Sequence, residues 1–296
     1  MRRVISPILP ALLIIWLCAG WASGSEKVIH TEYSLYRNIV VYDEDDERCM
    51  RFSRSRLTRQ SCISLSRPDM HVFDYTRMML GALYLKPEPK KILVIGLGGG
   101  TLPMTLSRIL PNAEIDSVEI DPAVVRVAKK FFRFTTSPRM RVYEEDGRVF
   151  IKKAGKRGIK YDLVMLDAYD HEYIPEHLLT REFLTEVKKV LTSDGVLAAN
   201  TYSMSGLYSN ESATYAAVFG KFYNLKLTNR VIVLKVDGMP AQQELDRNAE
   251  QLEEKLKPFG VGGEFLLPLF SLKKDWDDGA RVLTDQYSPS NLLNAR

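Results

Sequence analysis

The chain has 296 residues, 45% of them hydrophobic and 26% charged, which is typical of a globular protein with one large or two small domains. The 41 basic and 37 acidic side chains leave a net charge of only +4. This excess is mild, and no arginine-rich tract or stacking motif accompanies it. Composition therefore argues against a nucleic-acid partner.

The N-terminal 24 residues differ from the rest of the chain. Arg2 and Arg3 precede an apolar run from Ala11 to Ala22, shorter than the roughly 20 residues that span a bilayer. Small residues near its end suit cleavage of a secretory signal. We expect residues 1–24 to be a signal peptide, with an uncleaved membrane anchor as the alternative. Either would make the folded part periplasmic, secreted or anchored facing outward, whereas a misassigned start would leave it cytoplasmic.

Residues 25–66 are predicted to form a small β-rich domain. Its predicted strands are NIVVYD, CMRFS and SCISL, with a polar hairpin centre between the last two. Reflection about Ser55 and Arg56 pairs Cys49 with Cys62 across this hairpin. A disulfide is expected there in an oxidising compartment, and two unpaired thiols are the alternative.

Residues 67–296 are predicted to form a second domain. An apolar helical pattern up to Leu85 ends at two prolines. From Lys91 to Asp237 strands and helices alternate, which predicts a parallel sheet with helices on both faces. The predicted strands are ILVIG, EIDSVEID, RMRVYEEDG, YDLVMLDAYD, GVLAANT and RVIVLKV, and the helices include PAVVRVAKKFF, TREFLTEVKKVL and SATYAAVFGKFY. A last amphipathic helix is predicted from Gln242 to Lys257.

The loop after the first of these strands reads GLGGGT. A dinucleotide fingerprint would need glycine at its sixth position, which is Thr101, and no lysine follows in the register of a triphosphate loop. The loop is therefore a tight turn that lets some other ligand approach the backbone closely. Gly96, Gly98 and Gly100 are its candidate cofactor-binding residues.

Acidic residues follow the next three strands. Glu119 ends the second strand, where a carboxylate can bind ribose hydroxyls, Asp146 and Gly147 end the third, and Asp167 and Asp170 follow the fourth. Ligands of such sheets lie outside the carboxyl ends of the strands, so these groups should face one crevice. The clustered acids disfavour a pyrophosphate and favour a cationic nucleoside such as S-adenosylmethionine or a relative. Taken singly, each acid could instead be a turn or helix-cap residue.

The motifs ILVIGLGGGTLP, VEIDPAVV, EEDGRVF and YDLVMLDAYDHEYIPEHLLTREFL resemble those of the spermidine synthases, the polyamine aminopropyltransferases. The resemblance covers roughly residues 33–200. It implies an α/β fold, a Rossmann-like, methyltransferase-type doubly wound sheet with a small N-terminal β-domain. It also implies transfer of an aminopropyl group from decarboxylated S-adenosylmethionine to an amine in polyamine biosynthesis, by a homodimer. No metal is expected.

The resemblance also assigns roles to single residues. Asp167 matches the catalytic aspartate, and Asp170 matches the second acid, which holds the amine substrate. Glu119 would bind the ribose, and Asp146 and Gly147 would lie at the adenine.

Other positions concern the acceptor and depart from the family pattern. Tyr75 matches a substrate-binding tyrosine only with a shift of one residue, and Gln60 in the hairpin is a further substrate-binding candidate. The departures are Arg37 for a cofactor-contacting glutamine, Thr76 and Arg77 for a His-Glu pair, and Gly99 for the aspartate that anchors the far ammonium of the polyamine. Apart from Arg37, the residues expected to bind the donor thus match the family pattern, whereas those expected to bind the amine acceptor differ. Gly99→Asp is expected to improve the use of a diamine.

Three functions fit these residues. The first is an aminopropyltransferase with an altered amine acceptor. The second is an S-adenosylmethionine-dependent methyltransferase, because the sheet and the ribose acid serve both donors. The third is a non-catalytic protein that binds nucleosides or polyamines, which the predicted leader favours because the donor is made in the cytoplasm.

Overall fold

The computed structural model describes residues 26–52, 59–168 and 175–289. The predicted signal or anchor segment 1–24 and the predicted amine-binding Asp170 lie outside the described residues. No helix among the described residues combines the length and the apolar character that crossing a bilayer requires.

A four-stranded antiparallel sheet precedes the larger part of the fold. Its strands pair in chain order and are β1 (Lys27–Tyr33), β2 (Asn38–Glu44), β3 (Glu47–Arg51) and β4 (Ser61–Ser64). The sequence of β1, KVIHTEY, has no clear apolar alternation, so this strand was not predicted, and its residues are exposed or half-buried. Cys49 on β3 lies opposite Cys62 on β4, and a disulfide joins them, as the hairpin reflection predicted.

A seven-stranded sheet forms the centre of the molecule. Its strands are β5 (Lys91–Ile95), β6 (Glu114–Glu119), β7 (Met140–Glu144), β8 (Tyr161–Leu166), β9 (Leu191–Tyr202), β10 (Tyr223–Lys226) and β11 (Asn229–Lys235). The helices are α1 (Asp74–Leu80), α2 (Thr101–Ile109), α3 (Pro122–Phe131), α4 (Gly147–Lys156), α5 (Arg181–Val190), α6 (Tyr208–Phe219), α7 (Gln242–Leu256) and α8 (Gly263–Leu266). The described residues also include short 3₁₀ segments at Gly81–Tyr84, Glu176–Leu178, Lys257–Phe259 and Leu267–Leu269.

The sheet is mixed rather than parallel. Strands β5 to β9 pair in parallel, but β11 is antiparallel to β9 and β10 is antiparallel to β11. The prediction of an all-parallel sheet was wrong here because β10 and β11 are joined by only Leu227 and Thr228, too short for a parallel crossover. The helix predicted to run to Tyr223 ends at Phe219, because Gly220 follows it with φ +79°, and β10 begins at Tyr223.

The strand order is β10-β11-β9-β8-β5-β6-β7, so the chain reverses its direction of growth between β5 and β8. In an open α/β sheet, this reversal opens a crevice at the carboxyl ends of the two strands. The fold therefore places the loop after β5 and the end of β8 at one point.

Alternate side chains of β5 belong to two apolar cores, one on each face of the sheet. Ile92 and Val94 pack with α2 and α7 on one face, and Leu93 and Ile95 pack with α4 and α5 on the other. Helix α3 packs against both sheets, because Val125 joins the first core while Val124 joins the apolar face of β2 and β3. The N-terminal sheet is thereby fixed above the carboxyl edge of the larger one.

A fully buried ion pair supports the antiparallel edge. Arg230 on β11 donates to Glu211 on α6 at 2.8 Å, and neither side chain is exposed. The same guanidinium donates to Thr201 on β9 at 2.6 Å and to Ser212 at 2.7 Å. These bonds fix β11 against both β9 and α6.

We expect Glu211→Ala to lower the free energy of unfolding by about 3–5 kcal/mol, because it leaves the Arg230 guanidinium buried without its counter-charge. Urea unfolding followed by circular dichroism would measure this. Asp278→Ala, which removes an exposed ion pair with Lys274, is the control and should leave the midpoint close to wild type. Equal midpoints for the two variants would contradict the importance of the buried pair.

Candidate functional site

A cavity of about 780 Å³ lies at the carboxyl edge of the larger sheet, beneath the N-terminal sheet. Its walls combine the β3–β4 region, helix α1, the glycine loop and the ends of β6, β8 and β9. The predicted site residues that line it are Gln60, Tyr75, Gly96, Gly98, Glu119, Asp146, Gly147 and Asp167. The fold thus brings together groups that lie more than 100 residues apart in the chain.

Gly96 allows the closest backbone approach in the site. Its φ is +95°, and a Cβ atom there would lie 2.2 Å from the backbone oxygen of Asp167. The Asp167 N–H donates to the backbone oxygen of Ile95 at 2.8 Å. A side chain at position 96 would therefore separate the ends of β5 and β8, and with them the glycine loop and Asp167.

The rest of the glycine loop rests on β4. Gly98 has φ +54°, and its Cβ would lie 2.6 Å from the Ser61 hydroxyl oxygen. The same hydroxyl oxygen accepts the Gly99 N–H at 2.8 Å. The N-terminal sheet thus fixes the conformation of the loop.

Gly99 and Gly100 do not lie where the sequence suggested. Neither is among the described residues that line the cavity. A Cβ at Gly99 would lie 3.0 Å from the Phe132 ring, and one at Gly100 would lie 2.4 Å from the Phe134 ring. An aspartate at position 99 would therefore point into packed aromatic side chains. Gly100, predicted to bind cofactor, is the left-handed N-cap of α2.

Glu119 is held by two backbone groups at the end of β6. Its carboxylate accepts the N–H of Leu97 at 3.1 Å and that of Asp121 at 3.0 Å. Burial raises its pKa above the ordinary glutamate value, partly offset by these bonds and by the charge of Arg37. Asp121 itself is the N-cap of α3, the helix-cap role that the sequence left as an alternative for single acids.

Asp146 has two partners. One carboxylate oxygen accepts the Val149 N–H at 2.9 Å and caps α4, and the other lies 2.9 Å from His177 Nε2. The bond to His177 lowers the pKa of Asp146. His177 lines the cavity but was not predicted, because a single histidine after the fourth strand carries no pattern.

The C-terminal segment supports His177 indirectly. Arg148 donates to the backbone oxygen of His177 at 3.2 Å and makes two bonds to Asp285, at 2.7 and 2.8 Å. Thr180, the N-cap of α5, donates to Asp285 at 2.6 Å. The C-terminal segment thus connects the start of α5 to the side of the cavity where the adenine is predicted to lie.

Asp167 lies in the cavity wall between two hydrogen-bond donors. Its Oδ1 accepts the Asn200 amide at 2.9 Å, and the Tyr75 hydroxyl donates to the same carboxylate. Burial raises the pKa of Asp167 to about 7, against the opposing effect of both donors. Burial also holds the pKa of Tyr75 well above its usual value, so this hydroxyl stays protonated. Asn200 was not predicted as a site residue. Its signal in the sequence is a polar residue directly after the apolar run VLAA, at the same edge of the sheet as Asp167.

Two arginines line the cavity with the predicted groups. Arg37 lies 4.3 Å from the centre of the Phe52 ring, and its charge lowers the pKa of Glu119. Arg59 contacts the disulfide sulfur of Cys62 at 3.0 Å. Gln60, predicted from the hairpin, lies next to it in the cavity wall.

A Rossmann-like sheet with a glycine loop, a ribose-type acid and a buried aspartate at its carboxyl edge defines a transferase of the nucleoside-binding class. A family model described as the spermine/spermidine synthase domain matches residues 72–234. A polyamine aminopropyltransferase of Vibrio vulnificus (strain CMCP6) is 47% identical over 298 residues, which cover 98% of this chain and 99% of that protein.

Solved structures agree on the fold. Spermidine synthase from Thermotoga maritima aligns with a TM-score of 0.63 and 21% identity, over 83% of this chain and 85% of that one. Human methyltransferase-like protein 13 in complex with SAH aligns with a TM-score of 0.59 and 28% identity, over 70% of this chain and 96% of that one. The chain belongs to the spermine/spermidine synthase family. This confirms the resemblance and the fold class predicted from the sequence.

The geometry of the glycine loop revises the expectation for Gly99→Asp. We now expect this variant to lower the free energy of unfolding by about 2–4 kcal/mol, because the carboxylate enters the contact with Phe132, and not to improve diamine turnover. Thermal unfolding and an amine-transfer assay would measure both. Gly155→Asp is the control, since its nearest neighbour lies at an ordinary 3.7 Å. Improved putrescine turnover at unchanged stability would restore the original expectation.

Proposed function

We propose that the protein transfers the aminopropyl group of decarboxylated S-adenosylmethionine to a small-molecule amine in polyamine biosynthesis. Family membership makes it an aminopropyltransferase, as the sequence predicted, and the family uses this donor. The observation that carries the proposal is the position of Asp167, buried beside the glycine loop and bonded to Asn200 and Tyr75.

The donor half fits a cationic nucleoside. Glu119 presents its remaining lone pairs to the cavity for the ribose hydroxyls, and Asp146 and Gly147 form the wall assigned to the adenine. The carboxylates of Glu119, Asp146 and Asp167 favour a sulfonium over a phosphate, although two arginines also line the cavity. Gly96 and Gly98 let the ligand contact backbone rather than side chains.

The reaction is a displacement at the carbon next to the sulfonium. The amine nitrogen forms the new C–N bond, the C–S bond breaks with its electron pair going to sulfur, and methylthioadenosine leaves. The nitrogen must lose a proton, and an alkylammonium has a pKa near about 10. A carboxylate with a pKa of about 7 is a better acceptor for that proton than an ordinary aspartate. Asp167 also aligns the lone pair and stabilises the moving positive charge.

The acceptor half carries altered chemistry. Thr76 and Arg77 replace the His-Glu pair of the family pattern, and both are engaged within the fold. Thr76 bonds the buried His71 at 2.8 Å, and Arg77 pairs with Asp74. A hydroxyl and a neutralised cation thus occupy positions at which the family pattern has a histidine and an acid, which supports an acceptor that differs from a standard diamine.

Methyl transfer from S-adenosylmethionine is the second candidate. It is supported by the likeness to a methyltransferase solved with SAH and by Arg37, a cation in the donor half that suits a donor retaining its carboxylate. In that reaction the amine would attack the methyl carbon instead.

The decisive measurement is a comparison of donors. We expect decarboxylated S-adenosylmethionine and methylthioadenosine to raise the thermal midpoint, by an amount equivalent to about 2.7 kcal/mol at a hundredfold excess over Kd. Incubation with putrescine and other amines should yield aminopropylated product, identified by mass spectrometry. A shift with S-adenosylmethionine and a methylated product would establish the second candidate instead. No shift with any donor would overturn both.

We expect Asp167→Asn to lower kcat by about 100-fold or more while donor binding stays near wild type. The reaction needs the ionised carboxylate, whose pKa is about 7. In the wild type kcat/KM should therefore fall about tenfold for each pH unit below 7, and the variant should lose this acid limb. A variant of near-normal rate would remove Asp167 from the mechanism.

We also propose that the N-terminal segment directs export. The apolar run behind Arg2 and Arg3 supports this, and so does the disulfide, since disulfides persist in oxidising compartments. Cell fractionation with N-terminal sequencing of the native protein should find it outside the cytoplasm, either cleaved near Gly24 or anchored. A full-length cytoplasmic protein would contradict this. The homodimer remains a prediction from the resemblance.

A further inference from the structure

A chain of two side-chain amides leads along the cavity wall to Asp167. Asn229 Nδ2 donates to Asn200 Oδ1 at 3.2 Å, and Asn200 Nδ2 donates to Asp167 Oδ1 at 2.9 Å. All three residues line the cavity. Neither asparagine belongs to a motif on which the family resemblance rests.

Strand register explains why the two amides meet. Asn229 on β11 lies opposite Tyr202 on β9, and Asn200 lies two residues from Tyr202 on the same face. The intervening pair, Arg230 opposite Thr201, faces the other way and takes part in the buried network with Glu211. The ion pair below the sheet therefore fixes the register that the amides above it require.

The direction of the amides matters for the charge on Asp167. An asparagine can present either its oxygen or its NH₂ group to a neighbour, and only the NH₂ group stabilises a carboxylate. The bond from Asn229 occupies the oxygen of Asn200, which leaves the NH₂ group of Asn200 to face Asp167. Without that bond, the Asn200 amide loses the partner that favours this orientation.

We propose that Asn229 is a positioning residue for Asp167, acting through Asn200, whose amide orients the carboxylate and stabilises its ionised form. Asn200 bonds the Asp167 carboxylate directly, whereas Asn229 bonds only Asn200. The kinetic part of this inference rests on the proposed function. The effect on the ionisation of Asp167 does not.

Other titratable groups around Asp167 stay in place when position 229 is changed. Tyr75 on α1 bonds it, and Tyr202 on β9 interacts with Tyr75. The charged or titratable groups elsewhere in the cavity wall include Arg37, Arg59, Asp74, Glu119, Asp146 and His177. Asn229 is uncharged, so its replacement by another uncharged residue leaves the net charge of the site unchanged.

The test compares Asn229→Leu, which keeps the branched shape of the side chain but removes the amide, with Asn229→Gln, which keeps an amide. Asn248→Leu is the matched control, because the Asn248 amide makes a comparable 2.7 Å bond to the Tyr84 backbone oxygen outside the cavity wall. Carbon-13 NMR of labelled aspartate carboxyls, assigned with Asp167→Asn, reports the pKa of Asp167 in the full-length protein. Thermal unfolding reports stability. Kinetics with decarboxylated S-adenosylmethionine and the amine that the wild type turns over best give kcat, both KM values and the acid limb.

We expect Asn229→Leu to raise the pKa of Asp167 by about 0.5 and to lower kcat about 2- to 10-fold, the loss of one net hydrogen bond, with the donor KM unchanged. Asn229→Gln should recover part of both effects, and Asn248→Leu should show neither at a similar stability. An unchanged pKa of Asp167 in Asn229→Leu would overturn the inference, as would an effect confined to the amine KM, which would make Asn229 a substrate contact. A raised pKa of Asp167 in Asn229→Leu, without turnover of any tested amine by the wild type, would support the positioning role of Asn229. It would count against the proposed function alone.

Discussion

The whole site depends on the contact between the backbones at the ends of β5 and β8. Gly96 approaches Asp167 so closely that its missing Cβ would overlap the Asp167 backbone oxygen, at 2.2 Å. This approach sits at the reversal of strand order, where the sheet opens a crevice. The glycine loop and the buried Asp167 carboxylate are thereby fixed in position relative to each other.

Burial of Asp167 connects this geometry to the chemistry. A carboxyl in a dry wall resists ionisation, so its pKa rises to about 7 even though Asn200 and Tyr75 donate to it. The donors keep the group oriented, and burial makes it a stronger base than an exposed aspartate. Since the Asn200 amide depends on β9 and β11 keeping their register, the buried pair of Arg230 and Glu211 contributes to the site from the opposite face of the sheet.

The N-terminal sheet contributes in a different way. Ser61 on β4 accepts the Gly99 N–H, so the conformation of the glycine loop depends on a strand from outside the Rossmann-like sheet. The disulfide between Cys49 and Cys62 lies beside Ser61 in the same strand pair and fixes that pair. The conformation of the glycine loop and the small sheet are therefore physically coupled.

The sequence by itself determined the strands β5 to β9 and β11, the helices that alternate with them, and the acids at the strand ends. These follow from local periodicity and from the rule that ligands bind at one edge of such a sheet, and Glu119, Asp146 and Asp167 indeed share one cavity. Only the tertiary structure decided that β10 and β11 turn back antiparallel, that Gly99 and Gly100 face aromatic side chains, and that Asn200, Asn229 and His177 join the site. Spacing along a chain does not specify the direction of a side chain or the pairing of strands distant in sequence, because packing against other elements sets both.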